Sequence, residues 1–151
     1  MELMFERVAG LVVHRDTVMA CVRSPRPSGK GRQSDTREFA TTTGGLRVLR
    51  DWLASQQVTH VAMEATGGYW VPVFVSLETD FELFLVNAAH MRNVPGRKTD
   101  VADAGWIAQL LEHGLLRASF VPPREFRQLR NLCRYRRTVV AERVRVIQRI
   151  E

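Results

Sequence analysis

The sequence predicts an α/β fold: a five-stranded mixed sheet with helices on both faces, followed by a long basic helix. Three observations predict it. Short apolar, β-branched segments come three in succession before residue 43. From there on, helical and strand patterns alternate, which favours helices layered on a partly parallel sheet. The composition, 151 residues with 45% hydrophobic and 25% charged, is that of one globular domain with a real core.

The elements follow in order. Residues 8–13, Val-Ala-Gly-Leu-Val-Val, read as a buried strand. A polar turn, His14-Arg15-Asp16, leads into a second strand over 17–23, so the two form a hairpin. Residues 24–36 are rich in Ser, Pro, Gly, Lys and Arg and are expected to form a mobile surface loop. Residues 37–42 suit a third strand at the sheet's edge. Thr43-Gly44-Gly45 opens a helix whose apolar face is Leu46, Leu49, Trp52 and Leu53. Residues 58–63 form a fourth strand, with Glu64 directly after it. Residues 69–79 form a helix with Pro72 in its first turn, where a missing N–H is harmless. Residues 81–86 form a fifth strand and 87–98 a polar loop. Residues 99–117 are expected to be a helix with Ala102, Trp106, Leu110 and Ile107 facing inward. Trp70 and Phe74 are expected in the core.

After Pro122-Pro123, residues 124–151 read as one helix, which divides the chain into a sheet domain over 1–123 and this helix. Phe126, Cys133, Val140 and Ile147 recur every seven residues, joined by Leu129, Val144 and Ile150. That seam suits a coiled coil or a partner helix, although Arg136 and Arg143 interrupt it. The helical pattern runs to Glu151 without a glycine or other stop, as expected of one domain of a longer protein. The chain's net charge is +6, and all of the excess lies here: nine arginines stand against three glutamates. Such a patch suits a polyanion, or serves as a solvated face.

Several function classes drop out. No apolar run approaches the ~20 residues that span a bilayer, and no secretory leader is expected. Cys21 and Cys133 are too few for a disulfide framework or a zinc cage, and are expected to be reduced, mostly buried thiols in the cytoplasm. The four histidines, His14, His60, His90 and His113, show no zinc spacing, and neither a phosphate-binding loop nor a nucleophile elbow occurs.

Carboxylates mark two places. Glu64 follows a buried strand, where ligand groups gather in open α/β sheets; it also suits a helix-entry acid. Asp100 and Asp103 share a helix face and can grip a hard cation such as Mg²⁺, or cap the helix.

These residues carry a resemblance. The segments Gly10-Leu11-Val12-Val13-His14-Arg15-Asp16-Thr17, Met63-Glu64-Ala65-Thr66-Gly67-Gly68-Tyr69-Trp70 and Asn87 through Asp103 match three ordered motifs. The chain resembles the N-terminal RuvC-like domain of the DEDD-type insertion-sequence transposases, the group with the Piv-type invertases and the bridge-RNA-guided recombinases. The resemblance implies an RNase H-like fold and four acids that bind Mg²⁺ (or Mn²⁺) for DNA strand cleavage and exchange. Glu64, Asp100 and Asp103 match the second, third and fourth acids. The first acid's position is Val12, a departure that predicts weak metal binding and no cleavage by this chain alone. His14 lies on the same strand face as Val12 and approaches the site. The resemblance further implies a bacterial cytoplasmic protein with DNA, and possibly a structured guide RNA, as partners, and a homo-oligomer joined through residues 124–151. Relatives continue into a C-terminal domain with a serine nucleophile. Expected nucleic-acid contacts are Arg97, Lys98, Arg127, Arg130, Arg134 and Arg137. The alternative is a non-catalytic nucleic-acid-binding or dimerisation module.

Overall fold

The computed structural model describes residues 2–87 and 100–150. Its elements run β1 (Val8–Val13), β2 (Thr17–Pro25), β3 (Arg32–Ala40), α1 (Thr43–Ser55), β4 (His60–Glu64), α2 (Trp70–Leu77), β5 (Glu82–Val86), α3 (Asp100–Glu112) and α4 (Arg124–Ile150). The chain divides into two compact units, residues 1–119 and 120–151.

The first unit is built on one sheet of order β3-β2-β1-β4-β5. β1, β2 and β3 pair antiparallel, while β1, β4 and β5 pair parallel. The mixed five-stranded sheet is thus as expected. β1 lies at its centre and is buried along its whole length. That explains its unbroken apolar run: a strand covered on both faces has no polar side to show.

The two faces follow from alternation along each strand. Val8, Val12, Cys21, Ala62 and Val86 point to one side and pack with Ala104, Ile107, Ala108 and Leu111 of α3. Ala9, Leu11, Val13, Val18, Ala20, Val61, Met63 and Leu85, also buried, alternate with them. α1 buries Leu46, Leu49, Trp52 and Leu53, the four residues its sequence period picks out, and Phe39 of β3 lies 5.3 Å from Trp52, ring centre to ring centre. The Thr42 hydroxyl caps α1 by accepting from the Gly45 N–H at 3.1 Å. α2 buries Val73, Phe74 and Leu77, while Trp70 is only half-buried and packs edge-on against Phe74.

Four expectations about the elements need correction. Residues 24–36 are not one loop: β2 runs to Pro25 and β3 starts at Arg32, with those two residues paired. β3 is an edge strand with a half-exposed face, so its polar sequence is compatible with pairing, and composition alone misreads it. β4 begins two residues later than the apolar run and ends on Glu64, which is therefore the strand's last residue. The inward face of α3 is Ala104, Ile107, Ala108 and Leu111; Ala102, Trp106 and Leu110 are half-buried. The cause is Gly10. A Cβ there would overlap the Ala104 carbonyl oxygen and the Ala108 nitrogen. The helix backbone sits directly on β1, so its small residues face in and its large ones lie to the side. α3 also stops earlier than expected. Gly114, at φ 67°, adopts the left-handed turn, the Gly114 N–H bonds to Leu111 O and the Leu115 N–H to Leu110 O.

Candidate functional site

The carboxyl end of the central strands and the start of α3 meet at one place. Leu11 pairs with Met63 in the parallel β1–β4 ladder. One residue further along each strand, Val12 and Glu64 therefore stand side by side on the α3 face. Val12 is buried within the cluster that α3 covers. Glu64 is half-buried and pairs with Val86 of β5. The chain then turns away: the Ala65 N–H donates to Val86 O at 2.8 Å, and Gly67 takes a positive φ of 57°.

Asp100 and Asp103 both lie in the first turn of α3, three residues apart and so on one face. Asp100 is exposed and Asp103 half-buried. The close seating of α3 on Gly10 fixes where that first turn lies.

His14 completes the group. It continues the Val12 side of β1 past the end of the strand, where its backbone N–H donates to Thr17 O at 2.9 Å. Its Nε2 lies 2.9 Å from Asp100 Oδ2. This contact joins residues 86 apart in sequence, and both side chains are half exposed.

The arrangement does not fit a hard, oxygen-seeking ion such as Mg²⁺. Val12 presents methyl groups where the ladder would otherwise place an oxygen beside Glu64. Asp100 is already engaged by an imidazole. Among the described residues no three His, Cys, Asp or Glu side chains converge as an ion site. Mg²⁺ needs several oxygen donors in near-octahedral array, and this set falls short.

A second ionic group was not singled out from the sequence. Glu112, the last residue of α3, is 1% exposed. Arg23 Nη2 of β2 lies 2.8 Å from its Oε1, and Arg32 of β3 grips its Oε2 through Nη2 at 2.9 Å and Nε at 3.1 Å. Its carbonyl oxygen also accepts from the Met4 and Phe5 N–H groups. Burial pushes the Glu112 carboxyl up; hydrogen bonds and charge from Arg23 and Arg32 outweigh it and hold the group below its ordinary value. The sequence carries one signal for this. An acid at a helix C-terminus opposes the helix dipole, so it needs a cation nearby. The cluster ties α3 to β2 and β3.

Of the expected nucleic-acid contacts, Arg97 and Lys98 lie outside the described residues, as does His90. Arg127, Arg130, Arg134 and Arg137 lie on α4, at spacings of three and four that set them along one side. Arg130, Arg134 and Arg137 share a surface groove with Cys133. Cys133 is exposed, which corrects the expectation of two buried thiols; only Cys21 is buried, and burial pushes its thiol up. α4 buries none of its residues, so Phe126, Leu129, Leu132, Val140 and Ile147 are all exposed. No helix among the described residues is long and apolar enough to cross a membrane.

Comparison with known proteins follows from this geometry. A family model described as a transposase, of the DEDD IS110 type, matches residues 9–151. Among solved structures, the chain is similar to the Fowlpox virus resolvase, solved with its substrate Holliday junction DNA: 8% identity, TM-score 0.51, covering 74% of this chain and 99% of that one. It is also similar to Thermus thermophilus RuvC in complex with a Holliday junction substrate: 11% identity, TM-score 0.51, covering 76% of this chain and 99% of that one. These likenesses show the fold, which is RuvC-like. No curated protein matches by sequence.

Proposed function

The chain belongs to the DEDD transposase family, and from that premise we propose that it is a DNA-recombination domain that holds DNA but cuts it weakly or not at all by itself. One observation carries this reading: β1 and β4 run parallel with Leu11 opposite Met63, which sets Val12 beside Glu64 near the strands' carboxyl ends, and Asp100, which shares the first turn of α3 with Asp103, contacts His14 just past β1. Glu64, Asp100 and Asp103 are then the three surviving acids of the family's four, and Val12 occupies the first position. When bound in a complete site, Mg²⁺ would supply charge stabilisation at the phosphate under attack. The residues present do not make that site, so no cleavage step is assigned to this chain.

DNA is the proposed partner. The Fowlpox virus resolvase and Thermus thermophilus RuvC were both solved with a Holliday junction, and α4 carries the chain's positive excess. Arg127, Arg130, Arg134 and Arg137 would contact phosphates through bidentate guanidinium forks, with Arg97 and Lys98 added from the segment before α3. A structured RNA offers the same phosphates and is a second candidate. The exposed apolar seam of α4 would pair with a second copy.

The test is a binding and cleavage assay on a four-way DNA junction with Mg²⁺, using this chain and its Val12→Asp variant. The reading expects binding by both, and nicking raised at least tenfold in the variant. Failure of either protein to bind the junction more tightly than a duplex would support a general nucleic-acid-binding module instead.

A further inference from the structure

The β2–β3 hairpin carries charge that nothing in the fold uses. Between Asp16 and Asp35 the chain has four cations, Arg23, Arg26, Lys30 and Arg32, and no acid. They stand out in a unit whose cations and acids are equal in number. Arg23 and Arg32 flank the turn and are taken up by Glu112. Arg26 and Lys30 lie in the turn itself, where residues 26–31 are all exposed. Neither has a carboxylate partner among the described residues. By contrast, Arg15, Arg37 and Arg50 of the same unit each have an aspartate nearby, at 3.7, 3.2 and 3.5 Å.

The turn is shaped to hold those two charges out. Pro25 pairs with Arg32 on the last rung of the β2–β3 ladder. Beyond it the Arg26 N–H donates to Gly31 O at 3.1 Å and the Gly29 N–H to Arg26 O at 2.9 Å. Gly29 and Gly31 take positive φ of 73° and 85°, and a Cβ at either would meet nothing within 4 Å. These glycines serve the turn and leave its backbone open to close approach. Arg26 Nε donates to Arg32 O at 3.0 Å, which steadies the guanidinium and leaves its Nη donors for a ligand. An arginine fork and a lysine, in a turn without acids, match phosphate oxygens. β2 runs antiparallel to β1, so this turn lies at the end of the sheet away from Val12 and Glu64. From Thr17 to Pro25 the strand rises roughly 26 Å at about 3.3 Å per residue, the length of roughly eight base pairs at about 3.4 Å each.

We propose that the β2–β3 turn, through Arg26 and Lys30, grips the phosphate backbone of a DNA duplex, at a stretch separate from the one at the carboxyl ends of β1 and β4. The contact is electrostatic and reads no base sequence. Arg23, Arg32 and Glu112 are positioning residues for it. They lock the root of the hairpin to α3, so the turn sits on a stiff arm. The proposal rests on the reading of this chain as a domain that holds DNA. It depends neither on α4 nor on a metal ion.

The experiment uses the whole chain and a four-way DNA junction in EDTA. Lys30 and Lys98 are the chain's only lysines, so acetylation with acetic anhydride, followed by mass spectrometry, reads each by itself. Bound junction is expected to slow acetylation of Lys30 at least fivefold, and high salt should restore it as the phosphate contacts are lost. Fluorescence anisotropy gives the affinity and its salt slope. Arg26→Ala with Lys30→Ala should weaken junction binding at least fivefold and flatten the slope by about 1.8, at about 0.9 per contact. Arg26→Lys with Lys30→Arg keeps both charges and should stay within about twofold of the natural affinity. Circular dichroism and the thermal midpoint should be the same in all three proteins, because the turn is exposed. Unslowed acetylation of Lys30 in the bound complex would overturn the proposal and leave the DNA-binding reading intact. So would an unchanged salt slope in the alanine pair, or an equal loss of affinity in the charge-keeping pair. A natural chain that binds no junction would overturn both readings together.

Discussion

At the scale of single residues, two positions, Glu112 and Gly10, hold α3 against the sheet. Glu112 is buried with Arg23 and Arg32 around it. Removing one member of a buried ionic group strands the other charges, which costs about 3–5 kcal/mol. Glu112→Gln is therefore expected to lower unfolding free energy by roughly that amount in urea titration. The sign of its pH dependence follows from the depressed carboxyl. The native state binds fewer protons there than the unfolded chain, so the contribution is complete above the ordinary glutamate value of about 4.3. It is lost as pH falls below that value and through the lower native one. Thermal midpoints measured from pH 6 to pH 3 should fall less steeply for Glu112→Gln than for the natural chain. Gly10 is the second such residue. Gly10→Ala would drive a methyl into the backbone of α3, and overpacking of that kind costs about 1–3 kcal/mol or more. A variant as stable as the natural chain would show that α3 can lift off β1 freely.

Elements differ in how much of them the sequence discloses. β1 was legible because a central strand is apolar throughout, and α1 because its period matches its buried face. α3 was misread for a physical reason. Large residues at helical spacing look like a core face, yet Ala104 and Ala108 face the sheet because a glycine on another element permits close approach. That pairing joins positions almost a hundred residues apart, and periodicity within one element does not contain it. The strands of the β2–β3 hairpin are longer than the sequence suggests, because an edge strand is free to be polar. In the candidate site, Glu64, Asp100 and Asp103 stood out as acids at strand and helix ends. The His14–Asp100 contact was foreshadowed by alternation along β1, and the Glu112 cluster was missed.

α4 yields predictions of its own. If its arginine side tracks a phosphate backbone, replacing Arg130, Arg134 and Arg137 together with alanine should weaken DNA binding and flatten its salt dependence by about 0.9 per lost contact. Fluorescence anisotropy across a range of salt concentrations measures both. A flat salt slope in the natural chain would contradict a phosphate role. The apolar seam makes an opposite prediction. Arg136 and Arg143 interrupt it, so Arg136→Ala with Arg143→Ala should tighten self-association in sedimentation equilibrium. If the same pair instead weakens DNA binding, those two arginines belong to the nucleic-acid side.

For the whole molecule, the proposed reading has Glu64 at the end of a strand of a RuvC-like sheet, Asp100 and Asp103 at the start of α3, and Val12 at the position of the remaining acid. The mixed five-stranded sheet with its flanking helices follows from chain patterning. On that reading, the chemistry the site can perform turns on the Val12 side chain, near the carboxyl end of β1. A carboxylate there would lie beside Glu64 and face the start of α3, adding the oxygen donor that Mg²⁺ lacks. The most direct measurement is therefore calorimetric titration of Mg²⁺ into the natural chain and into Val12→Asp. Binding at least tenfold tighter in Val12→Asp is the predicted result. Equal affinities in the two proteins would contradict the account, because Val12 would then not occupy a ligand position.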